Sequence, residues 1–246
     1  MSDTSPAGAP RRAALVFIFV TVVLDMLALG MIIPVLPHLI EDFLGGDTAG
    51  AAKVYGVFGT AWALMQFVSM PVMGALSDRI GRRRVILISN LGLGLDYVLM
   101  ALAPNLAWLF VGRIISGVCA ASVSTGMAYV ADVTPVERRS AAFGRLGVAF
   151  GLGFVLGPAL GGVLGSIDPR LPFWAAAGFS LVNALYGLFV LPESLPPERR
   201  RPFEWRRANP MGSLKLLRSH PQLLGLAGVV FLSSLAHAAL PATFVL

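Results

Sequence analysis

The chain has 246 residues, 56% of them apolar and 13% charged, with a mean hydropathy of +0.77 and a formal net charge of +6. Soluble domains carry roughly 25% charged residues, so a soluble globular protein is excluded. The single cysteine, Cys119, excludes an intrachain disulfide and offers no metal cluster.

A helix needs about 20 mostly apolar residues to cross a bilayer. Residues 1–12 form a short polar tail without the features of a cleavable signal. Seven stretches then qualify as spans: about 13–37, 54–76, 85–103, 106–130, 142–165, 172–192 and 222–246. The predicted fold is an all-α integral membrane protein. The polar segment 193–221 mixes seven basic residues with Glu193, Glu198, Glu204, Phe203 and Trp205. It reads as a partly helical linker along a membrane face. It separates a six-helix bundle, 1–192, from a seventh span, 222–246.

Basic residues set orientation. With the N-terminus in the cytoplasm, sixteen of the nineteen Lys and Arg residues fall inside, including Arg79, Arg82, Arg83, Arg84, Arg138 and Arg139. Only Lys53 and Arg170 fall outside, and Arg113 lies within a span. The net charge therefore reports topology and attraction to anionic lipid on the inner face, and no nucleic-acid partner is expected.

Shifting the chain by 87 positions aligns the second stretch with the fifth. Phe67 then meets Phe154, Val68 meets Val155, Pro71 meets Pro158, Gly74 meets Gly161, Ile80 meets Ile167 and Arg83 meets Arg170. The two stretches run in opposite directions, so this pattern predicts a 3+3 inverted repeat, the organisation of many secondary transporters.

Three ionisable residues lie in the hydrocarbon. Asp25 is near the middle of the first stretch. Asp96 in the third and Arg113 in the fourth both lie roughly 10 Å below the outer surface at 1.5 Å per residue. Burying each costs about 2.5–3.5 kcal/mol, so such groups usually line aqueous cavities and carry function. Asp96 and Arg113 sit at one depth, and a pair that only holds two helices together is the alternative reading. Asp25 has no partner at its own depth and is the candidate proton carrier; its alternative role is to hold a cationic substrate. Gln66 in the second stretch is a candidate cavity residue. The fifth stretch carries Gly151, Gly153, Gly157, Pro158, Gly161, Gly162 and Gly165. Small residues at this spacing allow close helix approach, and Pro158 loosens the backbone ladder.

Between the second and third stretches runs Gly74-Ala75-Leu76-Ser77-Asp78-Arg79-Ile80-Gly81-Arg82-Arg83-Arg84. The eight residues from Ser77 to Arg84 allow only a tight turn, and Gly81 suits its positive φ. A positive-inside anchor accounts for the arginines but not for Asp78. The segment resembles the cytoplasmic loop signature of the major facilitator superfamily, G-x-L-S-D-R-x-G-R-R. That resemblance implies a charge network closing the cytoplasmic side, built on Gly74, Asp78, Arg79, Gly81 and Arg82, with Asp132 as its third charged member. Further residues resemble the tetracycline/proton antiporter subgroup: Leu24-Asp25 with Gly30, Pro34 and Pro37; Asp96-Tyr97; Gly112-Arg113 with Gly117; and Leu191-Pro192-Glu193-Ser194. The run Gly153-Phe154-Val155-Leu156-Gly157-Pro158-Ala159-Leu160-Gly161-Gly162 resembles the drug–proton antiporter motif. Ala28, Ala120 and Arg84 depart from the subgroup, which weakens an assignment to tetracycline itself.

The resemblance implies proton-coupled efflux of a drug-like small molecule from a bacterial inner membrane, with no cofactor and no metal. The family fold has two six-helix bundles, so a C-terminal bundle is expected beyond Leu246. Carriage of another small solute, or a non-transporting membrane polypeptide, are the alternatives. An enzyme is not expected, since no nucleophile–base set or phosphate loop appears.

Overall fold

The computed structural model describes residues 8–120, 122–205, 208–209 and 224–233, with 8–13 and 122 described for their backbone alone. The described residues form α1 (Gly8–Phe43), α2 (Thr48–Ile80), α3 (Arg82–Ala101), α4 (Leu106–Ala120), α5 (Ser122–Val133), α6 (Val136–Ile167) and α7 (Leu171–Val190), with one 3-10 turn, Pro197–Arg199. α4 and α5 together make a single span, Leu106–Val133, so six helices are long and apolar enough to cross a membrane. A short apolar helix, Leu224–Ser233, follows. The rest of the expected seventh span and most of the second half of the linker, including Arg206, Arg207, Lys215 and Arg218, lie outside the described residues.

α1, α2 and α6 outrun their apolar stretches at both ends. α2 has 33 residues, roughly 50 Å at 1.5 Å per residue, against a hydrocarbon core of about 30 Å. Its polar ends continue the helix after the apolar signal has faded. The expected eight-residue turn between Ser77 and Arg84 is corrected for the same reason. α2 ends at Ile80, α3 begins at Arg82, and Gly81 alone turns the chain, with φ 105° and ψ 149°. Only glycine enters that region without steric cost.

α1 packs chiefly on α6, α2 on α4, and α3 on α7. The 87-residue shift carries the α1–α6 pair onto the α4–α2 pair and the α3–α7 pair onto itself. It also carries the end of α2, Ile80, onto the end of α6, Ile167. Gly30 and Gly117 are related by this shift, and each lets its helix touch a neighbour. A methyl on Gly30 would meet Gly157 Cα at 2.9 Å, and one on Gly117 would meet the Trp62 carbonyl oxygen at 2.6 Å. Arg83 and Arg170 are a second related pair. Arg83, at the start of α3, donates to the Leu188 carbonyl at the end of α7, at 2.6 Å. Arg170, at the start of α7, donates to the Ala101 and Ala103 carbonyls at the end of α3, at 2.9 and 3.0 Å. Each arginine meets carbonyls that a helix end leaves without intrahelical partners.

Two buried apolar clusters sit at opposite ends of the bundle. One lies at the arginine-rich end and includes Phe17, Ile18, Ile86, Tyr129, Leu146 and Leu191. The other, at the far end, includes Met31, Leu36, Ile40, Met100, Leu109 and Phe173. Large apolar side chains such as Val155, Phe189 and Ile167 remain exposed on the bundle surface, as hydrocarbon-facing positions do in a multi-pass membrane protein.

Candidate functional site

Between the two clusters lies a cavity of about 280 Å³. Its walls are mostly apolar and aromatic, from Met26, Leu29, Trp62, Leu93, Tyr97 and Phe150, with three strongly polar groups: Asp25 on α1, Gln66 on α2 and Arg113 on α4. An apolar space with a few placed polar groups is the usual form of a small-molecule site. The Oδ1 atom of Asp25 is buried and has no hydrogen-bond partner. The guanidinium of Arg113 is buried, donates to the Met100 sulfur at 3.3 Å, and leaves Nε without a partner. A thioether is a weak acceptor, so most of the hydrogen-bonding capacity of Arg113 is unspent.

Asp96 stands behind this wall, 1% exposed, and does not line the cavity. Neither of its carboxylate oxygens accepts a hydrogen bond. It packs against α4 beside Arg113, where a methyl on Gly112 would meet Asp96 Oδ1 at 3.0 Å. The structure thus brings Asp25, Gln66 and Arg113 to one space and leaves Asp96 beside it, with no hydrogen bond joining Asp96 to Arg113.

At the arginine-rich end, charged groups converge on Arg82. Its guanidinium meets Asp78 at 2.6 Å and Asp132 at 3.3 Å, and also donates to the Ser77 hydroxyl. Ser77 in turn donates to the Gly74 carbonyl at 2.8 Å. Arg79 is exposed and outside this cluster. Ser194 donates to the same Asp132 oxygen at 3.3 Å. The segment after α7 is therefore part of the cluster.

Glu193, which the sequence places at the end of a span without a partner, has its contacts fixed only by the fold. Its Oε1 accepts from the backbone N–H groups of Arg82 at 2.9 Å, Ser194 at 3.1 Å and Leu195 at 3.1 Å. Its Oε2 lies 3.9 Å from Arg200. Gly81 has no side chain with which to cap α3, and Glu193 supplies that cap from 111 residues away. A methyl on Gly81 would collide with the same carboxylate, a second reason for glycine there. The available signal was an acid just past the end of a span, on the side where the arginines gather.

The glycines of α6 divide into two sets. Gly153, Gly157 and Gly161 are buried and press on the α1 backbone at Met26, Leu27, Gly30 and Met31, and a methyl on Gly30 would meet Pro158 Cδ at 3.0 Å. Gly162 has open space where a side chain would be. Close packing accounts for the first set and not for Gly162.

Residues 18–246 match the profile of the Major Facilitator Superfamily. The chain belongs to the major facilitator superfamily. It is 42% identical over 222 residues to a tetracycline resistance protein, class C, of Escherichia coli, covering 90% of this chain and 55% of that one. It is 38% identical to a class D tetracycline resistance protein of Salmonella ordonez, covering 95% and 57%. In three dimensions it resembles the human organic anion transporter MFSD10 (TETRAN), with a TM-score of 0.70 and 31% identity over 78% of this chain and 50% of that one. The chain spans about half the length of the relatives it matches. As a major facilitator protein it is a multi-pass membrane protein and not an enzyme.

Proposed function

We propose that this chain supplies the N-terminal bundle, residues 1–192, of a proton-coupled carrier that exports a drug-like small molecule by alternating access. Residues 193–221 are then a cytoplasmic linker and 222–246 the first span of a second bundle. The observation that carries this reading is the unpartnered Oδ1 of Asp25 at the edge of a cavity that also presents Arg113. A carboxylate that exchanges a proton for substrate must face the substrate space and must not be neutralised permanently by a cation. Asp25 meets both conditions. Asp96 and Arg113 complete the coupling set, because Arg113 can turn from the Met100 sulfur toward either acid. The Arg82 cluster, with Gly74, Asp78, Gly81 and Asp132, is the cytoplasmic gate, with Arg79 exposed beside it, and Gly153, Gly157, Pro158, Gly161 and Gly162 form the antiporter motif.

The arginine-rich end faces the cytoplasm and its anionic lipid, in a bacterial inner membrane. The relatives named tetracycline resistance proteins support drug export. Arg113, buried with few acceptors, favours a second reading in which the cargo bears an anionic group, as for the neighbour named an organic anion transporter.

The test uses the natural full-length gene product in proteoliposomes with tetracycline, ethidium and fluorescein as probes. Asp25→Asn is expected to abolish uphill transport driven by an imposed pH gradient while leaving downhill exchange measurable. An Asp25→Asn variant that still concentrates a probe would pass the role of carrier to Asp96. Absence of transport of any probe by the parent favours another solute or a non-transporting membrane protein.

A further inference from the structure

Asp25 lines two spaces. Besides the large cavity it borders a small one of about 20 Å³, walled by Ile18, Thr21, Val22, Ile86, Asn90 and others. Ile18 and Thr21 precede Asp25 on α1, and Asn90 lies eight residues into α3, roughly 12 Å from its start at 1.5 Å per residue. The small space is therefore on the arginine-rich side of Asp25, between that carboxylate and the apolar cluster holding Ile18 and Ile86.

Asn90 is fully buried, and neither its amide nitrogen nor its amide oxygen has a hydrogen-bond partner. Buried amides left unpaired cost roughly 1–3 kcal/mol per group. Thr21, the other polar wall, is already committed, donating to Asn183 at 3.1 Å. Three unpartnered polar atoms, Asp25 Oδ1, Asn90 Oδ1 and Asn90 Nδ2, thus belong to two residues bordering one space. A water needs about 10–15 Å³ of such volume and two to four polar partners. Size and partner number both match a single water. The remaining walls, from Ile18, Val22, Met26 and Ile86, are apolar and hold it to the polar side.

We propose that this space is a water site shared by Asp25 and Asn90, and that Asn90 positions the water that takes the proton from Asp25 toward the cytoplasm. The proposal rests on Asp25 being the proton carrier. In the step, the O–H bond of the Asp25 carboxylic acid breaks and its proton joins the bound water, leaving a carboxylate. The resulting hydronium is held by the Asn90 Oδ1 acceptor. It returns to water by passing one proton to solvent that enters when the cluster of Ile18 and Ile86 parts. No electrons change hands, and Asn90 is never protonated, which makes it a positioning residue. The ionisable groups that share the large cavity with Asp25 are Tyr97 on α3 and Arg113 on α4, with Asp96 and Cys119 close to Tyr97. Of these, Tyr97 and Arg113 face the large cavity, and none borders the small one. The water is the proton's exit on that side.

The experiment is infrared spectroscopy of the natural full-length gene product in nanodiscs, with the Asp25 carboxylic C=O band assigned by its loss in Asp25→Asn. Asn90→Leu fills the space and is expected to move that band to the higher frequency of a free acid. Asn90→Ala, which removes the amide without adding bulk, does the same, and Asn90→Ser keeps the parental band. With tetracycline as the probe in liposomes, Asn90→Leu slows pH-driven transport by about a hundredfold or more, the scale of positioned proton transfer, and Asn90→Ser restores most of it. An unmoved band in both Asn90→Leu and Asn90→Ala overturns the water site, whatever the probe does. Parental pH-driven transport in Asn90→Leu, alongside a dead Asp25→Asn, overturns the relay alone. An Asp25→Asn variant that still pumps overturns the carrier reading and the relay together.

Discussion

The carboxylate of Glu193, three residues after α7 ends at Val190, accepts a hydrogen bond at 2.9 Å from the backbone N–H of Arg82, the first residue of α3. The exposed N–H groups of a helix start are satisfied here by a side chain from beyond the last helix of the bundle, at the same arginine-rich end. This contact ties the linker to the turn at Gly81. Glu193→Ala removes the acceptor for Arg82, Ser194 and Leu195 together. The expected loss is about 1 kcal/mol, as for other helix caps, read as a lower Tm of the purified protein. Glu193→Gln keeps an acceptor oxygen and should fall between the two. An unchanged Tm in Glu193→Ala would show that solvent caps α3 equally well.

Arg82 joins Asp78 and Asp132 from different helices. Both acids are partly exposed, so the pairs contribute little stability, about 0–1 kcal/mol each. Their expected role is conformational. Reversing charge at Arg82 or at Asp132 alone should reduce transport strongly with normal membrane abundance. Reversing both should recover only part, because an acid at position 82 would face Asp78 at 2.6 Å. Loss in the double variant equal to that of the worse single variant would argue against coupling between the two sites.

Gly157 and Gly162 are five residues apart and differ in surroundings. A methyl on Gly157 would meet Gly30 Cα at 2.7 Å, backbone that cannot yield, while Gly162 faces open space. Gly157→Ala is expected to cost about 1–3 kcal/mol through overpacking, seen as reduced thermal stability in detergent. Gly162→Ala should leave stability unchanged. If transport nonetheless falls in Gly162→Ala, Gly162 serves a surface that α1 does not provide.

Orientation is testable without transport. Reporter fusions near residues 80, 140 and 205 should report cytoplasm, and those near 47 and 168 the exterior. An exterior signal at 205 would reverse the assignment built on the arginines.

Six of the seven expected spans were legible in the sequence because hydrocarbon demands about 20 apolar residues per crossing, and the seventh lies mostly outside the described residues. The repeat was legible too, since Phe67, Pro71 and Gly74 recur 87 positions on, as was the membership signalled by Gly74 to Arg84. Helix ends were not, because polar residues such as Ser77 and Asp78 continue α2 outside the hydrocarbon, where hydropathy says nothing. The ionisable residues Asp25, Asp96 and Arg113 stood out by their cost of burial. Which of them share a space did not, since depth along a helix leaves rotation about its axis open. Only packing turned Asp25 and Arg113 into one cavity and left Asp96 behind it. Glu193 and Asn90 are the clearest cases. Neither side chain shows its neighbours locally: Glu193 caps Arg82, 111 residues away, and Asn90 borders one space with Asp25, 65 residues away. Sequence determined that this protein crosses the membrane and where its charges lie along each helix; tertiary structure decided which charges meet, because meeting depends on the rotation and contact of helices that no single helix specifies.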